Sequence, residues 1–537
     1  MNSTRATLSW VLLTGTVAVA FLFGLFPLFD FDLWGHLAAA RLIRETGQVP
    51  TVDPFLWGAA SRPWTDLYWL FQLGAGALFA LGGAPLLVLA KAALAALAVA
   101  LSLAARRPGT SAALAAGVWL APLVVVGGRS YERPEMISLV MVAAFLAVLA
   151  RAREHPRLLW ALPALQIPWV NSHPFFVFGP LLALLFALDA PVARAVPLFA
   201  GESPAPARAR WVPALAVTAV CLVNPYGLRG ALFPLGVIFG QGGDHLFYRQ
   251  YVAELRPVWS FVSRDATNPY VLAFLVTFGV GVAAALAALA VRRLTLFRAA
   301  LLLLAGTFGW SATRNVALFA LVYATLTVWN LHDAWTARAE GRAAASRQER
   351  RRTKDLPREG SARADLLVAA ALALLAVSIV SGAFYGWAGE GRSLGVGERP
   401  DWYAHDAQRF LVRDGMPRRA FVWSIGEANL TLFHGGGRVQ VFMDPRLEVA
   451  SRDLFERTIG IVRAMNAGDT ARWETLIHRP GEPEPWPSIL LDRAQGARAI
   501  AGVLRAPGWR PVYADDLAVV LVREEFAAAR ALPRVSP

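Results

Sequence analysis

Apolar segments of bilayer-spanning length recur through the first 390 residues of this 537-residue chain. Inside lipid every backbone polar group must be satisfied within the fold, which leaves helices or closed barrels. Runs of about twenty apolar residues select helices. The expected segments are 8–28, 70–105, 111–127, 134–151, 158–172, 174–190, 211–226, 268–291, 297–312, 314–331 and 365–387. Asn171, Ser172 and His173 interrupt one region, so 158–190 could instead form a re-entrant pair. Composition agrees, since 56% hydrophobic and 17% charged residues are too apolar for a soluble chain of this length. The first run lacks a small-residue cleavage site and reads as a retained helix. Cys221 is the single cysteine, which excludes an intrachain disulfide.

The net charge of +14 is carried between the apolar runs. Arg5, Arg106 and Arg107, then Arg151, Arg153 and Arg157, then Arg194, Arg208 and Arg210, then Arg292, Arg293 and Arg298 mark successive loops. Residues 332–364 add nine Lys/Arg against five Asp/Glu. With eleven helices all these groups share one side, which the positive-inside rule makes cytoplasmic. A nucleic-acid partner is not indicated, because no such module accompanies the charge. Residues 332–364 read as a basic cytoplasmic linker, and 338–364, without an apolar face, as mostly disordered. The opposite side receives the 29–69 loop, 127–133, 171–173, 227–267, 311–314 and the C-terminus.

Beyond residue 390 the pattern changes. RAFVWSI, RVQVFMD, SILLD and LAVVLVR read as strands, and 402–412, 452–466 and 494–505 as helices. The fold class is therefore a polytopic α-helical membrane protein of about eleven spans, residues 1–390, with an external soluble α/β domain, 391–537. Gly435-Gly436-Gly437 is a turn and lacks the strand–helix context of a nucleotide site.

The unusual polar residues gather on the external side. Asp30 and Asp32 follow the first apolar run, where carboxylates are costly to desolvate. One could cap the helix LWGHLAAARLIRETG, which ends at Gly47; a helix start uses only one cap. The other could take a proton from an attacking hydroxyl or hold a divalent metal. His36 lies one turn after Asp32 on the same face, as a metal ligand or, more often for such a residue, a satisfied interfacial histidine. Asp53-Pro54 fits turn chemistry or substrate contact, and Asp66 belongs to the same loop. Trp57, Trp64, Tyr68 and Trp69 fit an interfacial belt as well as a sugar platform. Arg129, Glu132, Arg133 and Glu135 form a charged knot that could leave an arginine for a phosphate. His173 reads as a core or substrate-contacting histidine. Arg314 opens a helix where a cation meets lipid headgroup or substrate. Asp444, Arg446 and Glu448 read as an ion-pair network or a binding edge.

The loop DFDLWGHLAAARLIRETGQVPTVDPFLWGAASRPWTDLYWLFQ resembles the opening of bacterial integral membrane proteins grouped with the C-type (GT-C fold) glycosyltransferases, near the Rgt-like and protein-mannosyltransferase-like enzymes. RSYERPEMISLVM, LPALQIPWVNSHPFFVFGPL, CLVNPYG, SATRNVALFALV and VQVFMDPRLEV resemble later landmarks of that group. The resemblance implies an external active site beneath the first loop, an acidic residue after the first helix as base or metal ligand, and a polyprenyl-phosphate-linked sugar as donor. Asp30 and Asp32 match that acidic position. Phe31 separates them, whereas the mannosyltransferases carry Asp-Glu adjacent, so the resemblance does not choose between the two aspartates or decide on a metal. Two rival classes remain: a lipid-carrier flippase or small-molecule transporter, which predicts polar residues at mid-bilayer, and a non-catalytic membrane scaffold.

Overall fold

Gly83 divides the longest apolar helix. In the computed structural model, which describes all residues except 1–2, 58–61, 153, 197, 201–205, 241, 350–361, 479–484 and 537, Trp69–Ala104 is helical apart from this residue. Gly83 adopts φ 60° and ψ −154°, and Pro85 follows. Unbroken, 36 residues would run about 54 Å, far beyond a hydrocarbon core of about 30 Å. The break leaves about twenty residues after Pro85, one bilayer thickness. The chain divides there into two compact units, 1–27 with 85–396 and 28–84 with 397–537. This cuts the chain differently from the sequence-based split at residue 390. The first loop shares a unit with the C-terminal domain.

Among the described residues six helices are long and apolar enough to cross a membrane: Ala6–Gly24, Trp69–Ala104, Pro174–Ala195, Pro269–Ala290, Thr313–Arg342 and Ala362–Val380. Ala112–Gly127 and Leu296–Ser311 are shorter apolar helices. Each of the eleven expected segments overlaps a helix, but several are too short to span alone. Glu135–Arg151, Ala161–Val170 and Ala207–Val220 have 17, 10 and 14 residues, and the last two contain Pro168 and Pro213. Asn171–His173 is a turn between Ala161–Val170 and the 3₁₀ segment Pro174–Val177.

The all-helical unit holds two helices the sequence did not suggest, Leu228–Gly240 and Gly242–Tyr251. It also corrects the linker. Val316–Glu349 is one continuous helix, so 338–349 is helical; its Ala, Arg and Glu content favours helix even without an apolar face. Residues 350–361 of that expected linker lie outside the described residues. Close packing uses Gly127: a Cβ there would meet the Phe23 ring at 2.4 Å, and the chain turns from it into the 128–134 segment.

The second unit is built on a five-stranded sheet of order β2-β1-β3-β5-β4. The strands are β1 (Arg419–Val422), β2 (Gln440–Val441), β3 (Ser488–Asp492), β4 (Trp509–Ala514) and β5 (Ala518–Arg523). β2, β1 and β3 are parallel, with Phe421 opposite Ile489; β5 is antiparallel to β3 and β4, with Leu490 opposite Val520. Ile489, Leu490, Leu491 and 519–522 are wholly buried, the unalternating pattern of strands covered on both faces. Strand β4 went unread because Pro511 argues against a strand, and β4 is an edge strand with a register shift beside that proline. RAFVWSI is a strand only to Val422; the helix Ile425–Gly435 begins within that run.

Candidate active site

The acidic turn of the first loop is held from the C-terminal part of its own unit. Asp30 Oδ1 accepts the backbone N–H of Asp32 at 3.1 Å, which starts the helix Asp32–Thr46. Asp30 thus closes an Asx turn just ahead of the helix, whose N-cap position is Phe31. Trp402 Nε1 donates to the Phe29 carbonyl at 2.7 Å, and the Tyr403 hydroxyl to the Asp30 carbonyl at 3.0 Å. Phe31 between the two carboxylates packs edge-on to Tyr403. The helix then lies against Ile425–Gly435, where Gly35 is needed: a Cβ would meet Asn429 Oδ1 at 2.6 Å. Asp32, at the first helical position, is half-buried, and Asp30 is buried. These contacts fix the direction of the Asp32 backbone from three sides.

His36 sits one turn on, its ring packed by Tyr68 at 5.6 Å and Phe71 at 5.3 Å. Among the described residues no three His, Cys, Asp or Glu side chains gather where they could hold a metal. Asp32 and His36, one helical turn apart, are a pair of donors and not a three-residue cluster.

The second half of the loop is built differently. Asp53 is buried; its carboxylate receives the N–H of Leu56 at 2.9 Å and of Phe55 at 3.4 Å. Arg446 Nη2 lies 2.7 Å from Asp53 and 2.6 Å from Asp444, with its guanidinium 4.3 Å from the Trp64 ring centre. Asp444 and Arg446 therefore form an internal ion-pair network that binds the loop, and Leu56 bridges to Val441 of β2. Asp66 is fully buried, accepting from Gln72 Nε2 at 2.9 Å and the Tyr68 N–H at 3.2 Å. Burial pushes its carboxyl up to about 7. Trp57 and Trp64 are buried within the unit, which corrects the interfacial-belt reading for both: their rings stack on protein cations and apolar neighbours rather than facing lipid.

In the helical unit three segments converge. Arg129 Nη2 lies 3.1 Å from Glu135 and 3.6 Å from Glu254, and Arg133 Nη1 is 2.7 Å from Glu254. Thr313 donates its N–H to the Arg256 carbonyl at 3.0 Å, and Val258 to the Trp310 carbonyl at 3.1 Å, which stitches 249–258 to 310–314. Arg249 Nη2 donates to the Ser311 carbonyl at 3.2 Å. Arg314, in the 3₁₀ turn Thr313–Asn315, has a buried Nε that meets no acceptor among the described residues. Glu132 does not neutralise this group; it is paired with buried Lys91, whose Nζ also donates to the Phe26 carbonyl at 2.9 Å. Arg129 and Arg133 thus share the carboxylates of Glu135 and Glu254, with Arg314 near Glu135, while Arg249 and Arg256 donate to backbone carbonyls of the adjoining segments. His173 lies apart from them, buried and bonded to Ser138 Oγ at 2.9 Å, which also accepts from Trp169 Nε1 at 2.8 Å. That is the surrounding of a core histidine.

Sequence reasoning missed the partners of the acidic turn. Trp402 and Tyr403 lie 370 residues downstream of it in a stretch read only as a helix start. Beside Tyr403, His405 bridges Glu398 at 2.9 Å and His434 at 2.8 Å. Burial and the neighbouring His405 hold His434 down to about 4, so it is neutral near pH 7. Two of the chain's eight histidines falling within thirty residues was the only signal.

No protein-family model matches the chain, and no curated protein matches it. Solved structures do. The archaeal oligosaccharyltransferase AglB from Archaeoglobus fulgidus, in complex with an inhibitory peptide and a dolichol-phosphate, aligns with a TM-score of 0.61 at 12% identity, over 93% of this chain and 71% of that one. The Archaeoglobus fulgidus oligosaccharyltransferase tethered to an acceptor peptide containing the NVT sequon aligns with a TM-score of 0.55 at 13% identity, over 91% and 70%. ArnT from Cupriavidus metallidurans in the apo state aligns at 14% identity over 96% and 98%, with a TM-score of 0.49. The chain is a multi-pass helical protein with the fold of the C-type glycosyltransferases and a small C-terminal sheet domain.

Proposed function

We propose that this protein is a membrane glycosyltransferase that moves a sugar from a polyprenyl-phosphate donor to a hydroxyl of a cell-envelope acceptor. The observation that carries the reading is the arginine excess around Arg129, Arg133 and Arg314. A phosphodiester needs fixed cations with the planar fork that arginine supplies. Arg314 is the best placed, because its half-buried guanidinium has no ion pair among the described residues, whereas Arg129 is paired with Glu135 and Arg249 donates to the Ser311 carbonyl. A neighbour of the same fold was solved with dolichol-phosphate, which supports a lipid-phosphate donor here.

In this reading Asp32 accepts the proton of the acceptor hydroxyl as its oxygen attacks the anomeric carbon. The bond from that carbon to the phosphate oxygen breaks, and the lipid phosphate leaves with the electron pair as an anion. Asp30, already accepting the Asp32 N–H, holds the turn. His36, Asp53 and Asp66 then serve the packing of the loop, and His173 that of the helical unit.

The proposed location is a bacterial inner membrane with a cytoplasmic N-terminus and an external C-terminal domain, supported by the one-sided basic loops. Reporter fusions after Arg347 and after Arg413 should give opposite compartments; the same compartment for both defeats this orientation. Mass spectrometry of lipids and glycans in a deletion strain tests the activity. One lipid-linked sugar should accumulate and one glycan lose a residue. Unchanged pools would defeat the reading.

A further inference from the structure

In the second unit three separate stretches touch the turn 28–32 that leads into the Asp32–Thr46 helix. The first is 397–399: Leu28 donates its N–H to the Gly397 carbonyl at 2.8 Å, and Arg399 donates to the Leu28 carbonyl at 2.8 Å. The second is 402–403, where Trp402 and Tyr403 hold the carbonyls of Phe29 and Asp30. The third is the helix Ile425–Gly435, which meets the Asp32–Thr46 helix at Gly35 and Asn429.

One row of side chains runs through all three. Glu398 of the first stretch meets His405 Nε2 at 2.9 Å. His405 Nδ1 meets Nε2 of His434, on the helix Ile425–Gly435, at 2.8 Å. His405 opens the helix His405–Val412, and its N–H donates to the Tyr403 carbonyl at 2.8 Å. Its ring also stands edge-on to Trp34 of the Asp32–Thr46 helix, 5.1 Å between centres. Trp34 is wholly buried and packs in turn on Tyr403 and Phe433.

The row tolerates a limited number of protons. The imidazole nitrogen that faces a carboxylate carries an N–H, so His405 donates from Nε2 to Glu398. Between the two rings there is room for one N–H, so they cannot both be imidazolium and keep their bond. Around His434 stand His405 and Arg409 of the helix His405–Val412, Arg41 of the Asp32–Thr46 helix, and Glu398. Burial first, then the three basic neighbours, hold His434 down to about 4 from 6.5, and Glu398 opposes them. The folded chain therefore binds fewer protons there than the unfolded chain. What the row adds to stability is fully present above about pH 6.5 and is lost as pH falls toward 4.

We propose that His405 is a positioning residue for Asp32: with Glu398 and His434 it clamps the turn 28–32, and so fixes the start of the helix on which Asp32 stands. This rests on the reading of Asp32 as the base, but the clamp itself is measurable without turnover.

The test is hydrogen exchange of the full chain, followed in peptides that cover 28–36, with melting temperature and turnover read alongside. His405→Phe keeps a ring against Trp34 and removes both nitrogens. At pH 7 it should speed exchange in this segment roughly tenfold, the loss of one charge-assisted hydrogen bond. It should also lower kcat while leaving the donor KM little changed. In wild type the same exchange, corrected for its intrinsic pH dependence, should rise as pH falls from 6.5 to 4. His434→Gln supplies a donor and an acceptor that cannot charge, and should flatten that rise; it carries the test if His405→Phe fails to fold. Faster exchange in His405→Phe with normal kcat upholds the clamp and defeats the reading of Asp32 as the base. Unchanged exchange in His405→Phe, or a rise in His434→Gln equal to that of wild type, overturns the proposal.

Discussion

Asp32 and Asp53 lie on one loop and meet opposite surroundings. Asp53 is buried against Arg446 and two backbone N–H groups, so its charge is consumed in holding the loop to β2. Asp32 begins a helix, half-buried, its backbone N–H taken by Asp30 and its neighbours pinned by Trp402 and Tyr403. The difference separates fixing a carboxylate by its own ion pair from fixing it by everything around it. The first holds the loop to the sheet, and the second sets the start of the helix on which the proposed base stands. The largest expected effect tests this split. Asp32→Asn should lower turnover by about 10²–10⁴-fold with folding retained, the usual loss for a general base. Asp53→Asn should lower the melting temperature while each folded molecule keeps near-normal turnover. Equal activity loss per folded molecule in both would break the comparison.

Arg446 sharpens it from the other side. Removing one partner of a buried ion pair leaves an uncompensated charge, at a cost of about 3–5 kcal/mol. Arg446→Ala strands both Asp53 and Asp444 and should fall in that range, read by thermal unfolding of the full chain. Arg446→Lys keeps the charge but not the fork, and should cost less. If Arg446→Ala melts like wild type, Asp53 is not held as described.

The arginines of the helical unit extend the contrast, because there the cations outnumber the acids. A charge-assisted bond to phosphate is worth roughly 1.5–3 kcal/mol, about 10–100-fold in affinity. Arg314→Ala should weaken donor use by about that factor, and Arg314→Lys by less, in kinetics with purified donor. An unchanged donor KM and turnover in Arg314→Ala would reduce the residue to a membrane-surface anchor.

Much of the helical unit was legible because lipid leaves the chain one local solution. Runs such as 268–291 announce Pro269–Ala290 almost residue by residue. The kink at Gly83 was hidden inside an unbroken apolar run, and the helix through 338–349 lacked the apolar stripe that marks packing. Arg129, Arg133 and Arg314 were each legible as arginines at helix ends, and the first two meet at Glu254. The companions of Asp30 and Asp32 were not legible, because Trp402 and Tyr403 reach them through a fold that no local pattern encodes. Asp53 and Arg446, 393 positions apart, were each visible as charged residues near turns, but nothing in either stretch points to the other.

Glu427 is a third kind of carboxylate, neither paired like Asp53 nor set at a turn like Asp32, and it yields the smallest effect. It is buried on the helix Ile425–Gly435, with Oε2 meeting no donor among the described residues. Burial first, and the charge of Asp492 second, push it up to about 8 from 4.5. The folded chain thus holds a proton that the unfolded chain releases. That stability is fully present below about pH 4.5 and is lost as pH rises toward 8. Asp66, raised to about 7, acts in the same direction over a lower window. Glu427→Gln is neutral throughout, so it should match wild type at pH 4.5 and exceed it at pH 9. Each pKa unit is worth about 1.4 kcal/mol. Water entering as the group ionises trims the product, leaving on the order of 1–2 kcal/mol. Melting temperatures of the full chain at pH 5, 7 and 9 read the gap between the two proteins. A gap that stays constant across those values would mean that Glu427 is already ionised in the folded protein, and so paired as Asp53 is.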